Sequence, residues 1–336
     1  MRIDVGEIDP GSLIIKVLTS NRTSMTLPTE MRFRGKVIQP GFNASRLLAE
    51  HGLSLSIKVS ENETNHQILF DTGGLLQTVI ENCKQFNIDL KDVEELILSH
   101  GHLDHFGGLT NIIRELKEGC EVYLNPVAFA ENRLVITKTG EEIPAEELGA
   151  SLEKLEKEGR LRVNRKLPRL NEDLIAKLAN QQKVRIIKTN KPVKLYDGLI
   201  TSGEIEILDE SEVSRGFYLA KGIDKFEKHT FRDETSIYIN IKGKGLVVLT
   251  GCAHTGLINI IRHGQNTTGI DQVYAIIGGF HKEYESDQNI EEAVRFIESL
   301  NPDITCGMHC TGFNFNRTMV RHPSHTLGVV GTEFRL

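Results

Sequence analysis

The sequence predicts an α/β fold in which helices cover the faces of sheets, interrupted by a charge-rich insertion. Three observations support this prediction. Strand-like and helix-like segments alternate in both halves of the 336 residues, histidines follow several strands, and charged residues accumulate from about 126 to 231. With 39% apolar residues the chain can bury a large core. We therefore expect one domain over 1–336, with the segment at about 126–231 inserted as a cap.

The elements of the first half follow from the spacing of apolar residues. In LSLSIKV, Leu53, Leu55 and Ile57 share one face and polar residues share the other, which predicts a half-buried strand. QILFDTGG is a short apolar strand that ends at two glycines, and LLQTVIENCKQF has helical spacing. A strand in EELILS, a helix in LTNIIRELKEG and a strand in EVYLN complete this half.

The second half repeats the alternation of strands and helices. TSIYINIKGKGLVVLTG predicts two strands joined by a turn that contains glycine. Helix GLINIIRHG, strand VYAIIGG, helix NIEEAVRFIESL and strand DITCGM follow it. Between the halves, the predicted cap has helical stretches near EELGASLEKLEKEG and NEDLIAKLAN. Ligand-type residues are therefore expected on loops at the strand ends.

A basic run, RLRVNRKLPR, lies inside the predicted cap and has five basic residues in ten. The simpler interpretation is a solvated edge, because most charge runs are surface features. The alternative is a lid that holds an anion over the functional site. The residues that would hold the anion are Arg160, Arg162, Arg165 and Arg169.

Composition narrows the class of protein. A net charge of −6 and a pI near 6.1 argue against a nucleic-acid-binding or membrane-surface protein, since both classes usually carry a basic excess. The first residues lack the pattern of a signal peptide, and no apolar stretch approaches the roughly 20 residues of a membrane span. Five scattered cysteines suit reduced thiols. We expect a cytoplasmic protein.

One loop, LSHGHLDHFGGL (98–109), concentrates metal-binding side chains. His100 and His102, two residues apart on an extended segment, can point the same way, and Asp104 and His105 can face a second ion. Two ions roughly 3.5–4 Å apart can share a hydroxide that forms near neutral pH. The alternative is a histidine-rich surface turn. The complete string, placed after a strand and before two glycines and a helix, favours the metal site.

These residues, together with Asp71 in the preceding ILFDTGG, resemble the metallo-β-lactamase superfamily. The resemblance implies an αββα sandwich with a one- or two-metal site at one edge of the paired sheets. It also implies that Asp71 orients the loop by holding the outer nitrogen of a histidine. Zinc is the metal we expect first, with manganese and iron as alternatives, because imidazole and carboxylate accept all three.

Further ligands must come from the second half, because one loop cannot complete two metal sites. His254, His281 and His309 each follow a predicted strand. A lone histidine in such a place is usually an ordinary polar residue, whereas three in matching contexts favour a shared site. The ordered strings HGLSLSI, FDTGG, SHGHLDHFGGL, GCAHTG, GGFH and HCTG resemble one branch of the superfamily, the 7,8-dihydropterin-6-methyl-4-(β-D-ribofuranosyl)aminobenzene-5'-phosphate synthases.

The sequence departs from the wider family at two ligand positions. Cys252 stands where the family has a bridging aspartate, and the segment before the hairpin reads HTFRDETS without the expected ligand pattern. We expect His254 as the replacement ligand of the first site. Asp233 and His229 are the alternatives, and Cys252 is a candidate bridging thiolate.

The resemblance assigns His309 to the second site, with Asp104 and His105. His281 has a weaker claim as a ligand and is also a candidate for substrate contact. Cys306 and Cys310 flank His309, and we expect packed thiols beside the metal pocket instead of a separate zinc site, because a second ligand pair is missing.

Three functions are compatible with this pattern. The first is a metal-dependent hydrolase in which Asp104 positions the nucleophile. The second, implied by the branch resemblance, is a transferase that joins a hydroxymethyl-dihydropterin diphosphate to a ribofuranosyl-aminobenzene phosphate. The third is a metal-bound sensor without turnover, which the intact ligand string disfavours. In each case the expected partner is a small anionic or phosphorylated molecule, and a homo-oligomer is compatible with the sequence.

Overall fold

A computed structural model describes residues 2–28, 33, 35–61 and 64–336. Its strands are β1 (Leu13–Thr19), β2 (Val37–Ile38), β3 (Ser54–Glu61), β4 (Thr64–Phe70), β5 (Val93–Ile97), β6 (Glu121–Leu124), β7 (Asn132–Thr137), β8 (Leu161–Lys166), β9 (Arg185–Lys188), β10 (Lys194–Tyr196), β11 (Leu199–Thr201), β12 (Phe217–Ala220), β13 (Phe226–Lys228), β14 (Ile237–Ile241), β15 (Gly245–Thr250), β16 (Val273–Gly279), β17 (Ile304–Met308) and β18 (Glu333–Arg335).

The α-helices connect and cover these strands. They are α1 (Thr78–Phe86), α2 (Leu103–Phe106), α3 (Leu109–Glu115), α4 (Ala145–Lys157), α5 (Glu172–Gln182), α6 (Leu257–Thr268), α7 (Asp287–Leu300) and α8 (Gly312–Met319). Each strand and helix predicted above corresponds to one of these elements, with ends that differ by a few residues.

Two large sheets form the body of the protein. The first has the strand order β2-β18-β1-β3-β4-β5-β6-β9, and the second has the order β10-β11-β14-β15-β16-β17. Strands β4, β5, β6 and β9 run parallel to one another, as do β15, β16 and β17. The carboxyl ends of parallel strands share one edge of a sheet, so the loops that follow them are neighbours.

Apolar residues fill three layers around these sheets. Between them lies a core that includes Ile57, Phe70, Ile239 and Ile277, all fully buried. The outer face of the first sheet is covered by α1, α3 and α5, and that of the second by α6, α7 and α8. Helix, sheet, sheet and helix thus follow one another, and the predicted αββα sandwich is confirmed.

The predicted cap range of about 126–231 is wider than the part that stands apart from the sandwich. Strands β7, β8, β12 and β13 form a separate four-stranded sheet that packs with α4 around Val135, Leu148 and Tyr218. Helix α5 and strand β9 instead belong to the first large sheet and its covering layer, and β10 and β11 belong to the second sheet. These exposed edge elements carry many charges, which is why their sequence looked like that of an insertion.

None of the helices in the described ranges combines the length and the apolar character that a membrane crossing requires.

Candidate metal centre

The loop after β5 is fixed by Asp71, which follows β4. Asp71 Oδ2 lies 2.6 Å from His105 Nδ1 and accepts the Ser99 hydroxyl at 2.7 Å, while Oδ1 accepts the Ser99 backbone N–H at 2.7 Å. This is the contact with a histidine that was predicted for Asp71. Gly108 allows the loop to pass close to β4, because a Cβ there would lie 2.3 Å from the Thr72 carbonyl oxygen.

Left-handed backbone marks the turns that present the candidate ligands. The φ angles are +62° at Asp71, +64° at Ala253, +47° at His281 and +52° at His309. Such conformations cost about 1–3 kcal/mol each outside glycine and persist where the surroundings fix them, often at functional sites. Backbone strain is therefore present in the loops of both sheets that carry the candidate ligands.

One group of ligands consists of imidazoles only, and we call it the imidazole trio: His100, His102 and His254. Their ligand nitrogens lie within 4.8 Å of one another. Ser99 Oγ lies 2.9 Å from His100 Nδ1, and Ser214 Oγ lies 3.2 Å from His254 Nδ1. The Nε2 atoms of all three histidines are buried and have no hydrogen-bond partner. The outer nitrogens of His100 and His254 are held by hydroxyl groups, while the inner nitrogens of all three rings are free to bind.

A second group, which we call the acidic group, consists of Asp104, His105, Cys252 and His309. His105 Nε2 lies 3.1 Å from Cys252 Sγ and 3.2 Å from His309 Nε2, which in turn lies 3.1 Å from Asp104 Oδ2. Asn21 Oδ1 contacts His309 Nδ1 at 2.9 Å. As in the trio, Nδ1 is held from outside and Nε2 points inward.

The two groups differ in charge. Burial and the neighbouring His105 and His102 lower the pKa of His100 well below its usual range, and burial lowers the pKa of His102 to about 4. Although burial alone lowers it, the charges of Asp71 and Asp104 raise the pKa of His105 to about 9. The pKa of Asp104 is held well below its ordinary value, mainly by His105 against the opposing effect of burial. The trio is neutral at pH 7, whereas the acidic group carries both signs.

These residues fit a divalent metal. Three buried imidazole nitrogens without partners, close to a carboxylate, two further imidazoles and a thiol, are the donors that zinc, iron and manganese accept. Leaving so many buried polar atoms unpaired is otherwise costly. The predicted set of His100, His102, Asp104, His105, His254 and His309 is brought together in one place.

The thiols and His281 extend the centre. Cys252, at the predicted bridging place, belongs to the acidic group and lies with its Sγ 3.3 Å from Cys310 Sγ. Cys252, His281 and Cys310 form a third cluster with ligand atoms within 4.8 Å of one another. The His281 ring lies 4.1 Å from the His254 ring, and its Nδ1 is buried without a partner. Cys310 therefore packs beside the centre, as the sequence predicted for a flanking thiol.

The two alternatives for the first site lie behind it. Asp233 Oδ2 accepts the Gly101 backbone N–H at 2.8 Å, so it braces the metal loop. His229 Nε2 lies 3.7 Å from Asp233 Oδ1, and its ring stacks on Phe231, which stacks in turn on His254. Neither Asp233 nor His229 joins the three clusters in the described part of the chain. Of the three candidates, His254 is the one that lies in a cluster of possible ligands.

A cleft of about 260 Å³ opens onto the centre, and we call it the metal cleft. It is lined by Asp104, Cys252, His254, His281 and Cys310, together with His51, His102, Leu103, Leu134, Leu167, Pro168, Phe217, Glu283 and Tyr284. A side lobe of about 290 Å³ shares Leu134, Phe217, His281 and Tyr284 with it and adds Arg162 and Arg215. The lobe thus places both basic and acidic groups beside the candidate centre, since Glu141, Glu142 and Glu285 line it as well.

The predicted anion-holding arginines do not converge. Arg162 lines the side lobe, but Arg160 lies 3.6 Å from Glu158, and Arg169 Nε donates to the Phe129 carbonyl at 2.7 Å. Arg165 is not among the described residues that line the metal cleft or the side lobe. A lid that uses all four is therefore wrong, and Arg215, which follows Ser214, joins Arg162 instead.

Several supporting residues were not predicted. Glu234, fully buried, accepts the backbone N–H groups of His254 and Thr255 at 2.7 and 2.6 Å and fixes the turn after β15. His51 Nε2 lies 3.4 Å from Asp104 Oδ2, and this contact raises the pKa of His51. Glu234 stands in the segment HTFRDETS and His51 in HGLSLSI, both singled out by the sequence. Asn21 and Ser214 lie in no such pattern.

Comparison with known proteins places this geometry in a family. A family model described as the metallo-beta-lactamase superfamily matches residues 59–123, which include the whole metal loop. A 7,8-dihydropterin-6-methyl-4-(beta-D-ribofuranosyl)-aminobenzene-5'-phosphate synthase from Methanocaldococcus jannaschii is 31% identical over 282 residues, which cover 81% of this chain and 84% of that protein. The chain belongs to the metallo-β-lactamase superfamily. The predicted resemblance to the superfamily and to its synthase branch is confirmed.

Two more proteins are similar to this metallo-β-lactamase protein. The uncharacterized protein MJ0448 of the same organism is 26% identical over 296 residues, covering 88% of this chain and 97% of that protein. In structure, the chain is similar to Tm1679, described as a metal-dependent hydrolase of the β-lactamase superfamily, with a TM-score of 0.68 and 20% identity. That similarity covers 96% of this chain and 99% of Tm1679, and it supports the fold.

Proposed function

We propose that this metallo-β-lactamase protein is a cytoplasmic, metal-dependent enzyme that acts on small phosphorylated metabolites, as a transferase of the synthase type. The observation that carries the proposal is the convergence of the trio's unpaired Nε2 atoms with the acidic group at the end of an accessible cleft. The relative that is 31% identical carries a synthase name, which favours group transfer over simple hydrolysis. Zinc is the first candidate metal, with manganese and iron as alternatives.

The residues divide into those that would hold metal and those that would handle substrate. The imidazole trio and the acidic group would hold one or two ions. Bound there, a divalent ion supplies positive charge that stabilises the oxygens of a departing phosphate or diphosphate.

The side lobe is suited to the other end of such a substrate. Arg162 and Arg215 line it and form no ion pair within the described residues, and planar guanidinium groups bind phosphate through paired hydrogen bonds. Glu141, Glu142 and Glu285 also line the lobe, but each already accepts a hydrogen bond from another residue. Phe217 and Leu134, which line both the lobe and the metal cleft, limit the access of water to the reacting atoms.

Two further side chains handle protons. Asp104, whose pKa lies well below its usual range, remains a carboxylate and can accept a hydrogen bond from an incoming amine or water, which orients it. His51 touches Asp104 and is 67% exposed, so its imidazole can carry a proton between the cleft and solvent. In the transferase reaction a C–N bond forms, the C–O bond to diphosphate breaks, and the amine proton leaves by this route.

The test uses the metal-loaded protein with two activity assays and a measurement of how tightly the phosphorylated compounds bind. Hydroxymethyl-dihydropterin diphosphate and ribofuranosyl-aminobenzene phosphate are incubated together, and the joined product and free diphosphate are measured by mass spectrometry. Bis(4-nitrophenyl) phosphate with Zn²⁺, Mn²⁺ or Fe²⁺ tests hydrolysis. The transferase is supported if the wild type forms the joined product and His102→Ala does not.

The other outcomes contradict it in different ways. Rapid hydrolysis without joined product indicates the hydrolase. Tight binding of the phosphorylated compounds without any turnover indicates the sensor. Arg160→Ala serves as a matched control for Arg162→Ala, because Arg160 pairs with Glu158 away from the lobe. Of these two variants, we expect only Arg162→Ala to weaken the binding of phosphorylated substrates, by about tenfold.

A further inference from the structure

A second cavity, of about 450 Å³, adjoins the metal centre at Asn21 and His309, which both line it. We call it the outer cavity. Its lining consists of Ser20, Asn21, Arg22, Gly307, Met308, His309, Gly312, Phe313, Asn316, Arg317, Val320, His325, Leu327 and Gly328. It is larger than the metal cleft or the side lobe and shares no lining residue with either. Its volume is in the range of small-molecule sites.

The side of helix α8 that lines this cavity carries exposed apolar residues. Phe313, Asn316, Arg317 and Val320 recur at helical spacing, so they share one side, while Phe315 on the other side is fully buried in the core. Phe313 is 75% exposed and Val320 is 57% exposed. An outward helix face is normally polar, so two large apolar side chains beside an arginine indicate a surface that is covered by a ligand.

The charge of the outer cavity is positive. Arg317 comes from α8 and Arg22 from the segment after β1, and the lining residues that the structure describes include neither Asp nor Glu. Within the described ranges, no carboxylate forms an ion pair with either guanidinium. Asn316 is already engaged, since its Oδ1 accepts His325 Nε2–H at 3.0 Å and its Nδ2 donates to the Gly312 carbonyl at 2.9 Å. The side chain of Asn316 is thus fixed in place, whereas the two arginines remain available to bind an anion.

We propose that the outer cavity is a binding site for a small aromatic anion. Arg22 and Arg317 would bind its phosphate or carboxylate, because guanidinium groups bind such groups through paired hydrogen bonds. Phe313 would pack against its ring. The inference goes beyond the proposed reaction, because binding here requires neither a metal nor turnover.

Titration calorimetry on the metal-loaded protein tests the site, with phenyl phosphate as the probe and inorganic phosphate as the probe that lacks a ring. We expect phenyl phosphate to bind more tightly than phosphate. Arg317→Ala and Arg22→Ala should each lower the affinity for phenyl phosphate at least about tenfold. Phe313→Ala should remove the advantage of phenyl phosphate and leave phosphate binding unchanged. Arg321→Ala, an exposed arginine outside the lining, is the matched control and should bind like the wild type.

Four results would overturn the inference. Equal binding by wild type, Arg22→Ala and Arg317→Ala would place the probe elsewhere, and a loss of phenyl phosphate binding in His102→Ala would place it at the metal centre. Equal affinity for phosphate and phenyl phosphate would exclude an aromatic site. A dimer that Phe313→Ala dissociates, without probe binding, would assign the apolar rim to a second copy of the chain. A metal-centre variant that loses turnover but still binds the probe separates this inference from the proposed function.

Discussion

The imidazole trio and the acidic group lie side by side yet are built in opposite ways. In the trio, serine hydroxyls hold the outer nitrogens of His100 and His254, and burial keeps the rings neutral. In the acidic group, the carboxylate of Asp71 holds His105, whose pKa rises to about 9. A hydroxyl fixes the direction of a ring without adding charge, whereas a carboxylate also makes the ring more basic.

Because of this difference, we expect the two groups to respond differently when a ligand or its supporting side chain is replaced. The trio depends on the presence of its nitrogens and on burial. The acidic group depends in addition on a charge that lies outside the ligand set, at Asp71. Variants that remove either a ligand atom or its supporting group therefore test whether the two groups differ in this way.

The largest effect is expected from removal of a trio ligand. His102→Ala deletes one of three imidazoles, so bound metal should fall by at least half and turnover by at least about a hundredfold. Elemental analysis and steady-state kinetics measure both. His66→Ala is the control, because His66 contacts Glu94 away from the centre. Unchanged metal stoichiometry in His102→Ala would remove the trio from the metal site.

A smaller effect is expected when the support of the acidic group loses its charge. Asp71→Asn keeps the shape but lowers the basicity of His105, so affinity for one of two ions should fall by about 10–100-fold. Competitive titration with a chromophoric chelator resolves the two affinities. If the affinity for both ions fell, the two groups would not be independent. If neither affinity fell, the charge of Asp71 would not support the acidic group.

The corresponding change in the trio should be weaker still. Ser214→Ala removes the hydroxyl 3.2 Å from His254 Nδ1 without removing charge, and we expect less than about a tenfold loss of metal affinity. The same chelator titration compares it with Asp71→Asn. A larger loss from Ser214→Ala than from Asp71→Asn would reverse the proposed difference between the groups.

The smallest effect concerns the pH dependence of stability after metal is stripped with a chelator. His102, with a pKa of about 4 when folded and about 6.5 when unfolded, makes stability rise with pH between these values. His105, with a pKa of about 9 when folded, adds stability that is full below about 6.5 and is lost as pH rises to about 9. Urea midpoints from pH 4 to 9.5 should therefore pass through a maximum near 6.5.

Asp71→Asn provides the test of that assignment. Because it removes the main charge that raises the pKa of His105, it should flatten the decline above pH 6.5 and leave the rise below it unchanged. A decline that persists in the variant would assign it to another group.

The sequence predicted those parts of the centre that follow from local pattern. The string from His100 to His105 lies on one loop, and His254 and His309 each follow a strand at the same edge, so order along the chain and strand polarity predicted their meeting. Asn21 and Ser214 could not be predicted, because each contacts its histidine across a separation set by packing of the whole fold.

The outline of the cap shows the same limit. Helix α5 and strand β9 have charged exposed faces and resemble an insertion, and only their pairing with the first sheet reveals that they belong to the sandwich. The basic run was identified, but only Arg162 of its four arginines is among the described residues that line the side lobe, and Arg169 at its end donates to a backbone carbonyl. Composition cannot show which face of an edge strand meets a cleft.

Each group of ligands draws on both layers of the sandwich, since one part follows β5 in the first sheet and the other follows β15 or β17 in the second. An ion bound by either group would therefore crosslink the two layers and hold them together at this edge. Free ion at 100 times its dissociation constant would add about 2.7 kcal/mol to the unfolding free energy. Cellular metal supply would then set how long the protein survives as well as how fast it works.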